Sequence, residues 1–161
     1  MNFDELIVEI NKKVPNAFES KDGISVIYVT PERWIEVAKL LKNDEKFKFD
    51  YLMCITSYDV GDNVLYGAAY NLYSTSKLHY LEVRIEIDDG QTIPSVSSLW
   101  RTADWHEREA FDMMGLKFDG HPDMKRILLS DDWEGHPLRK NYKEPDYYHG
   151  LPVPKDKSYW E

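Results

Sequence analysis

Between Trp105 and Leu129 the chain reads WHEREAFDMMGLKFDGHPDMKRILL, and no other stretch limits the possible folds as tightly. It packs charges more densely than a solvated helix needs, stops at a glycine, then runs through a His-Pro loop into an apolar strip. With Asp104 as N-cap, Glu107 would occupy the third helical position, a D-x-x-E variant of the capping box. Gly115 stands where a left-handed residue ends a helix at low cost. A helix is therefore expected over residues 105–114.

At about 100° per residue the two faces of this helix separate. Arg108, Glu109 and Asp112 fall near Trp105 on a charged face, while Ala110, Phe111 and Met114 cluster opposite. Glu107 falls inside the apolar stripe. A carboxylate there must be paired or protonated if buried, because an unpartnered buried charge costs several kcal/mol. Arg101, Arg126 and Arg139 are the candidate partners. The alternative is a capping glutamate that reaches solvent.

The helices and strands before this stretch define its setting. Phe3, Leu6, Ile7, Ile10 and Val14 keep helical spacing up to Pro15. Two short strand-like runs flank Asp22-Gly23, a hairpin signal. Thr30-Pro31 opens a second helix with Trp34, Val37, Ala38 and Leu41 on its buried stripe. Residues 49–58 are apolar on both faces, which suits a central strand. Residues 64–73 follow a turn rich in Asp, Gly and Asn, and Gly67-Ala68-Ala69 would let a helix pack closely. Residues 77–88 alternate, with Leu81, Val83, Ile85 and Ile87 inward and Glu82, Arg84, Glu86 and Asp88 outward. The order α-β-β-α-β-β-β-α predicts a two-layer α+β fold on one mixed sheet, with a parallel crossover joining the second and third strands. Residues 93–100 read as a connector.

After Gly115 the texture changes. Five of the eight prolines (Pro122, Pro137, Pro145, Pro152, Pro154) fall beyond it, with Phe118, Trp133, Tyr142, Tyr147, Tyr148, Tyr159 and Trp160. Disordered tails are poor in aromatics, and compact domains rarely carry so long a loop. The expected organisation is a core domain over residues 1–114 and an extended arm over 115–161 that is ordered along another protein; folding back on its own domain is the alternative.

Composition excludes several functions. A net charge of −9 argues against nucleic-acid binding or docking on anionic lipid. No apolar run approaches the ~18 residues of a membrane span. The start, MNFDELIVEI, has no basic region before an apolar core, so no signal peptide is expected. Cys54 is the single cysteine, which excludes an internal disulfide and any cysteine-ligated cluster held by this chain alone; a reducing, cytoplasmic setting fits, with the thiol expected buried in its strand. His106, Glu107, Glu109, Asp112, His121 and Asp123 crowd together, but Ala110 stands where a zincin needs its second histidine. No pair of E-x-x-H helices, nucleophile elbow or phosphate loop occurs. No catalytic, metal or cofactor residue is assigned.

Residues 107–129 nevertheless resemble the signature of the 30 kDa subunit family of respiratory complex I, the proton-pumping NADH:quinone oxidoreductase. DDWEGHPLRKNY (131–142) and EPDYYHGLPVP (144–154) are similar to the family's continuation. Asp104, His106, Met113 and Met114 depart from the family pattern. The resemblance implies a cofactor-free subunit of the hydrophilic arm, held through the complex at the cytoplasmic face of the inner membrane. Its partners would be other complex I subunits, chiefly the large quinone-site subunit (the 49 kDa type), which it would support, and an iron–sulfur subunit, with iron–sulfur clusters, flavin and quinone in partner subunits. The signature positions implied for partner binding are Glu107, Arg108, Glu109 and Asp112 on the helix. Gly115, His121, Pro122 and Arg126 follow it, and Pro137, Arg139 and Lys140 lie further along. The alternatives are the equivalent subunit of a complex with a ferredoxin, reduced-deazaflavin or hydrogenase-type donor, a free-standing adaptor, and a metal-dependent hydrolase.

Overall fold

The computed structural model describes residues 2–20, 25–61 and 64–153. Helix α1 (Phe3–Lys13) starts with a reciprocal capping box: the Asn2 side chain accepts from Glu5 N at 2.9 Å, and the Glu5 carboxylate accepts from Asn2 N at 3.0 Å. It buries Leu6 and Ile10. Strands β1 (Phe18–Ser20) and β2 (Val26–Val29) pair antiparallel, as the hairpin signal requires; the Asp22-Gly23 turn itself lies outside the described residues. Helix α2 (Pro31–Asn43) begins at the proline and buries Trp34, Val37, Ala38 and Leu41, all four residues of the expected stripe.

Strands β3 (Tyr51–Gly61), β4 (Leu65–Ser74) and β5 (His79–Asp88) complete a mixed five-stranded sheet ordered β1-β2-β5-β4-β3. The turn residues Asp62 and Asn63 lie outside the described residues. β2 runs parallel to β5, whereas β3-β4 and β4-β5 are antiparallel. One expectation is corrected here: β3 is an edge strand, not a central one. The expected crossover through α2 does join parallel strands, with β5 and β4 lying between them. Apolarity on both faces does not report strand order: β3 buries Leu52 and Ile55 but leaves Tyr51 and Met53 nearly half exposed. A second correction concerns Gly67. A Cβ there would meet the Tyr58 ring at 2.3 Å, so the residue admits a cross-strand aromatic and not a helix.

Tyr66, Ala68, Tyr70 and Leu72 of β4 join the inward side chains of β5 and buried residues of α1 and α2 in one core, with Trp34 and Tyr70 stacked at 4.6 Å. Outward Glu82, Arg84 and Glu86 remain half-buried on the opposite face. Cys54 is half-buried, not buried, and its sulfur accepts from Asn71 Nδ2 at 3.3 Å. Residues 93–100 are more than a connector. Strand β6 (Thr92–Pro94) pairs in parallel with β7 (Lys117–Asp119), and α3 (Ala103–Met114) lies between them in sequence. Leu116 and Phe118 belong to the core, so the chain stays inside it past Gly115. Beyond β7 the described residues of the arm hold one short hairpin, β8 (Tyr147–Tyr148) with β9 (Leu151–Pro152), turned by His149 and Gly150 at φ 50° and 77°. Pro154, Tyr159 and Trp160 lie outside the described residues. No helix among the described residues is long and apolar enough to cross a membrane.

Candidate functional site

Helix α3 and the first half of the arm form one unit, and Asp112 is its anchor. The side chain is fully buried. One carboxylate oxygen accepts from the backbone N–H of Ile127, Leu128 and Leu129 at 2.9, 2.7 and 3.0 Å, while the other accepts from Arg126 Nη1 at 2.8 Å. Burial alone would raise this carboxyl; the three N–H donors and the guanidinium outweigh it and hold it below the ordinary carboxylate range. Arg126 also reaches Gly135 O at 3.1 Å, which ties the two arm segments together.

The end of α3 exposes carbonyls that need donors, and the arm supplies them. His136 Nδ1 donates to Asp112 O at 3.0 Å, Leu138 N to Met113 O at 3.0 Å, and Arg139 Nε to Met114 O at 2.8 Å. Gly115 N returns to Phe111 O at 2.9 Å. Half-buried Pro137 sits inside this HPLR cap. Arg139 lies 4.3 Å over the Tyr66 ring and bonds Asp89 at 3.1 Å, and Lys140 N donates to Asp59 Oδ2 at 2.9 Å. Gly115 is required twice. Its φ is +77°, and a Cβ would stand 2.7 Å from His136 Nε2 and 2.8 Å from Arg139 Nη2.

At the other end, α3 begins two residues earlier than expected. Thr102 holds the N-cap position without a side-chain bond, and Asp104 lies in the first turn instead of capping it. Asp104 is used by His121, whose Nε2 approaches its carboxylate at 3.2 Å and its carbonyl at 3.3 Å while His121 Nδ1 accepts from Asp123 N at 3.1 Å. Pro122 follows, exposed. Arg108 is buried, stacked 4.9 Å from the Trp105 ring centre and bonded to Lys125 O at 3.3 Å. The expected charged face is thus covered by the arm over Arg108 and Asp112, while Trp105 remains 61% exposed.

Glu107 is fully buried, as its place on the apolar stripe implies, but no arginine pairs with it. Arg126 and Arg139 are engaged elsewhere and Arg101 is exposed. The carboxylate accepts instead from Ser95 Oγ at 2.6 Å and Val96 N at 2.8 Å. Burial pushes its pKa up to about 7; those two bonds oppose the rise and the Asp104 charge adds to it. Two donors from a loop satisfy the oxygens without a counter-ion, which is why the arginine expectation fails.

The structure therefore gathers Arg108, Asp112, Gly115, Arg126, Pro137, Arg139 and Lys140 into one fastening. It sets His121 and Pro122 at the start of α3, Glu107 on the opposite, inner side, and Glu109 in solvent. The crowded acids and histidines do not converge: among the described residues no three His, Cys, Asp or Glu side chains are grouped to hold a metal ion. Sequence reading missed Ser95, Asp59 and Asp89, none of which carries a local signal, and the Trp133–Tyr148 stack at 4.9 Å with Trp133 Nε1 on Tyr142 Oη at 3.0 Å. The β8–β9 hairpin had a readable signal in His149-Gly150.

Residues 27–148 match the family described as Respiratory-chain NADH dehydrogenase, 30 Kd subunit. An NADH-quinone oxidoreductase subunit from Chlorobium phaeobacteroides is 42% identical over 86% of this chain and 86% of its own length. The corresponding NADH-quinone oxidoreductase subunit from Chloroherpeton thalassium is 48% identical over 76% of this chain, which spans 52% of that longer protein. An NAD(P)H-quinone oxidoreductase subunit from Prochlorococcus marinus is 42% identical over 78% of this chain and 76% of its own. The chain belongs to this family of complex I 30 kDa subunits. Its fold is shared with a chain in the structure of the membrane-bound sulfane sulfur reductase, an archaeal respiratory membrane complex, at a TM-score of 0.73, 22% identity and coverage of 87% and 85% of the two chains.

Proposed function

We propose that the chain is the 30 kDa-type subunit of a proton-translocating NADH:quinone oxidoreductase, and that it acts there as a cofactor-free architectural part. It sits in the hydrophilic arm at the cytoplasmic face of the inner membrane. Its partners are other subunits of the complex, chiefly the large quinone-site subunit and an iron–sulfur subunit, and the clusters, flavin and quinone belong to partner subunits. One observation carries the reading: most of the family's signature residues are spent on fastening an arm to a helix, with Asp112 taking four donors, and the signature positions do not converge on one cavity. Residues so engaged are poor acids, bases or nucleophiles, because their lone pairs and protons are already committed.

The test is purification of the tagged full chain from its native membranes in mild detergent. The expected result is co-purification with the large and iron–sulfur subunits and NADH:quinone turnover in the assembled fraction. After dissociation, iron and flavin should remain with the partners. Turnover with reduced ferredoxin or a reduced deazaflavin, and none with NADH, would assign the chain to a related complex. Stoichiometric iron or zinc on the isolated chain would contradict the architectural reading and favour a hydrolase.

A further inference from the structure

The sheet ends at β3, and the outer edge of that strand is bare along its middle. Among the described residues, nothing outside the β3–β4 ladder bonds to the backbone of residues 54–57; the nearest use of this edge is Thr102 Oγ1 donating to Leu52 O at 3.4 Å. Proteins normally cover, twist or charge so long an edge, because its unpaired N–H and C=O groups are a template for another strand.

Helix α3 runs beside this edge, and a groove of about 270 Å³ lies between them. One wall is residues 54–57. The other is His106, Glu109, Ala110 and Met113, with Leu138 also lining it. Four consecutive strand residues line a single groove only where it follows the backbone, since alternate side chains point to opposite faces. The helical residues are spaced i, i+3, i+4, i+7, one stripe two turns long. Two turns span about 10 Å and four strand residues about 13 Å, so the walls match. A strand edge facing a helix across a groove is the arrangement in which an extended peptide adds to a sheet while alternate side chains enter the groove.

We propose that the β3 edge is where an extended segment from another protein of the complex adds to the sheet as a further strand. Its apolar side chains enter the groove over Ala110 and Met113, and a basic side chain faces Glu109. Three observations select this occupant. The edge offers main-chain hydrogen bonds, which only an extended backbone matches in register. Leu138 in the groove and Met53, next to Cys54 in sequence, are 56% and 46% exposed, an apolar border left uncovered among the described residues. Glu109, unlike Glu107 and Asp112, makes no hydrogen bond or ion pair among the described residues, and a chain of net charge −9 favours a cationic partner segment. The inference also gives Glu109 a task and explains why an edge strand is apolar on both faces. It rests on the chain being part of a multi-subunit complex.

The test uses the full chain with p-benzoylphenylalanine in place of Leu138, assembled in the complex purified from membranes and irradiated there. Cross-links should concentrate on one short segment of another protein of the complex that contains Lys or Arg. Hydrogen exchange within residues 54–57 should be at least tenfold slower in the complex than in the free full chain. Glu109→Arg should lower the yield of co-purified partner about tenfold while leaving the melting temperature of the free chain unchanged. Cross-links to residues 154–161 of the same chain, to a second copy or to no protein would overturn the proposal, as would unchanged exchange or an unaffected yield. Failure to recover any complex would instead overturn the assignment to a multi-subunit enzyme, so the two failures are distinguishable.

Discussion

Glu107 and Asp112 are both fully buried on α3, yet their surroundings drive them in opposite directions. Glu107 rises from an ordinary 4.5 to about 7, so the folded state holds a proton that the unfolded chain has lost. Its contribution to stability is therefore complete below pH 4.5 and is lost as pH rises through 7, on the order of 3 kcal/mol at about 1.4 kcal/mol per pKa unit. Glu107→Gln keeps the shape and an acceptor for Val96 N without the charge. The expectation is that the variant loses less stability than the parent between pH 5 and pH 8, and melts above the parent at pH 8; thermal scans of both across that range measure it. A variant as pH-dependent as the parent would place the titration elsewhere. Asp112 has the opposite sign: its stabilisation is present above the ordinary 3.8 and is lost as pH falls through its lower folded value. At Gly115 the backbone itself decides. Gly115→Ala meets a left-handed backbone cost of roughly 1–2 kcal/mol and a collision with His136 and Arg139. Its melting temperature should fall by several degrees, at about 2–4 °C per kcal/mol for a chain of this size.

The arm's hold on α3 comes from capping as much as from charge. Arg139 serves Met114 O, Asp89 and the Tyr66 ring together, whereas Lys140 contributes through its backbone N–H. Arg139→Ala should therefore cost roughly 1–3 kcal/mol, because it strands a helix-end carbonyl, and speed hydrogen exchange across residues 136–142. Lys140→Ala should stay within about 0.5 kcal/mol of the parent. Equal effects would mean that the basic pair is only a solvated face. These elements also show what could be read in advance. Helical spacing located α1 and α2, period-two alternation located β5, and the phase of α3 placed Glu107 inside. The order of strands was not legible, since alternation reports burial and not neighbours. β6 and β7 are three residues each and exist only through pairing across the whole of α3. Asp112 was legible only as part of a charged face, because the groups that cover it lie 14 to 17 residues further along.

Taken as a whole, the molecule is a sheet with its helices on one face and a final segment that locks onto the last helix. That lock leaves Trp105, Leu128 and Leu138 56% to 62% exposed, and Leu138 lines the groove at the bare β3 edge. On the proposed architectural role, damage to this lock should act through assembly. Asp112→Asn is the most direct test, because it leaves the shape while breaking a four-donor site whose half-buried Arg126 then lacks its counter-charge. Removing one partner of such a pair costs about 3–5 kcal/mol. Assembled complex and NADH:quinone turnover per assembled complex should be measured together in membranes carrying Asp112→Asn. The expected result is a large drop in assembled complex with near-normal turnover in what remains. Normal assembly with lost turnover would contradict the architectural role and place Asp112 in the electron or proton chemistry itself.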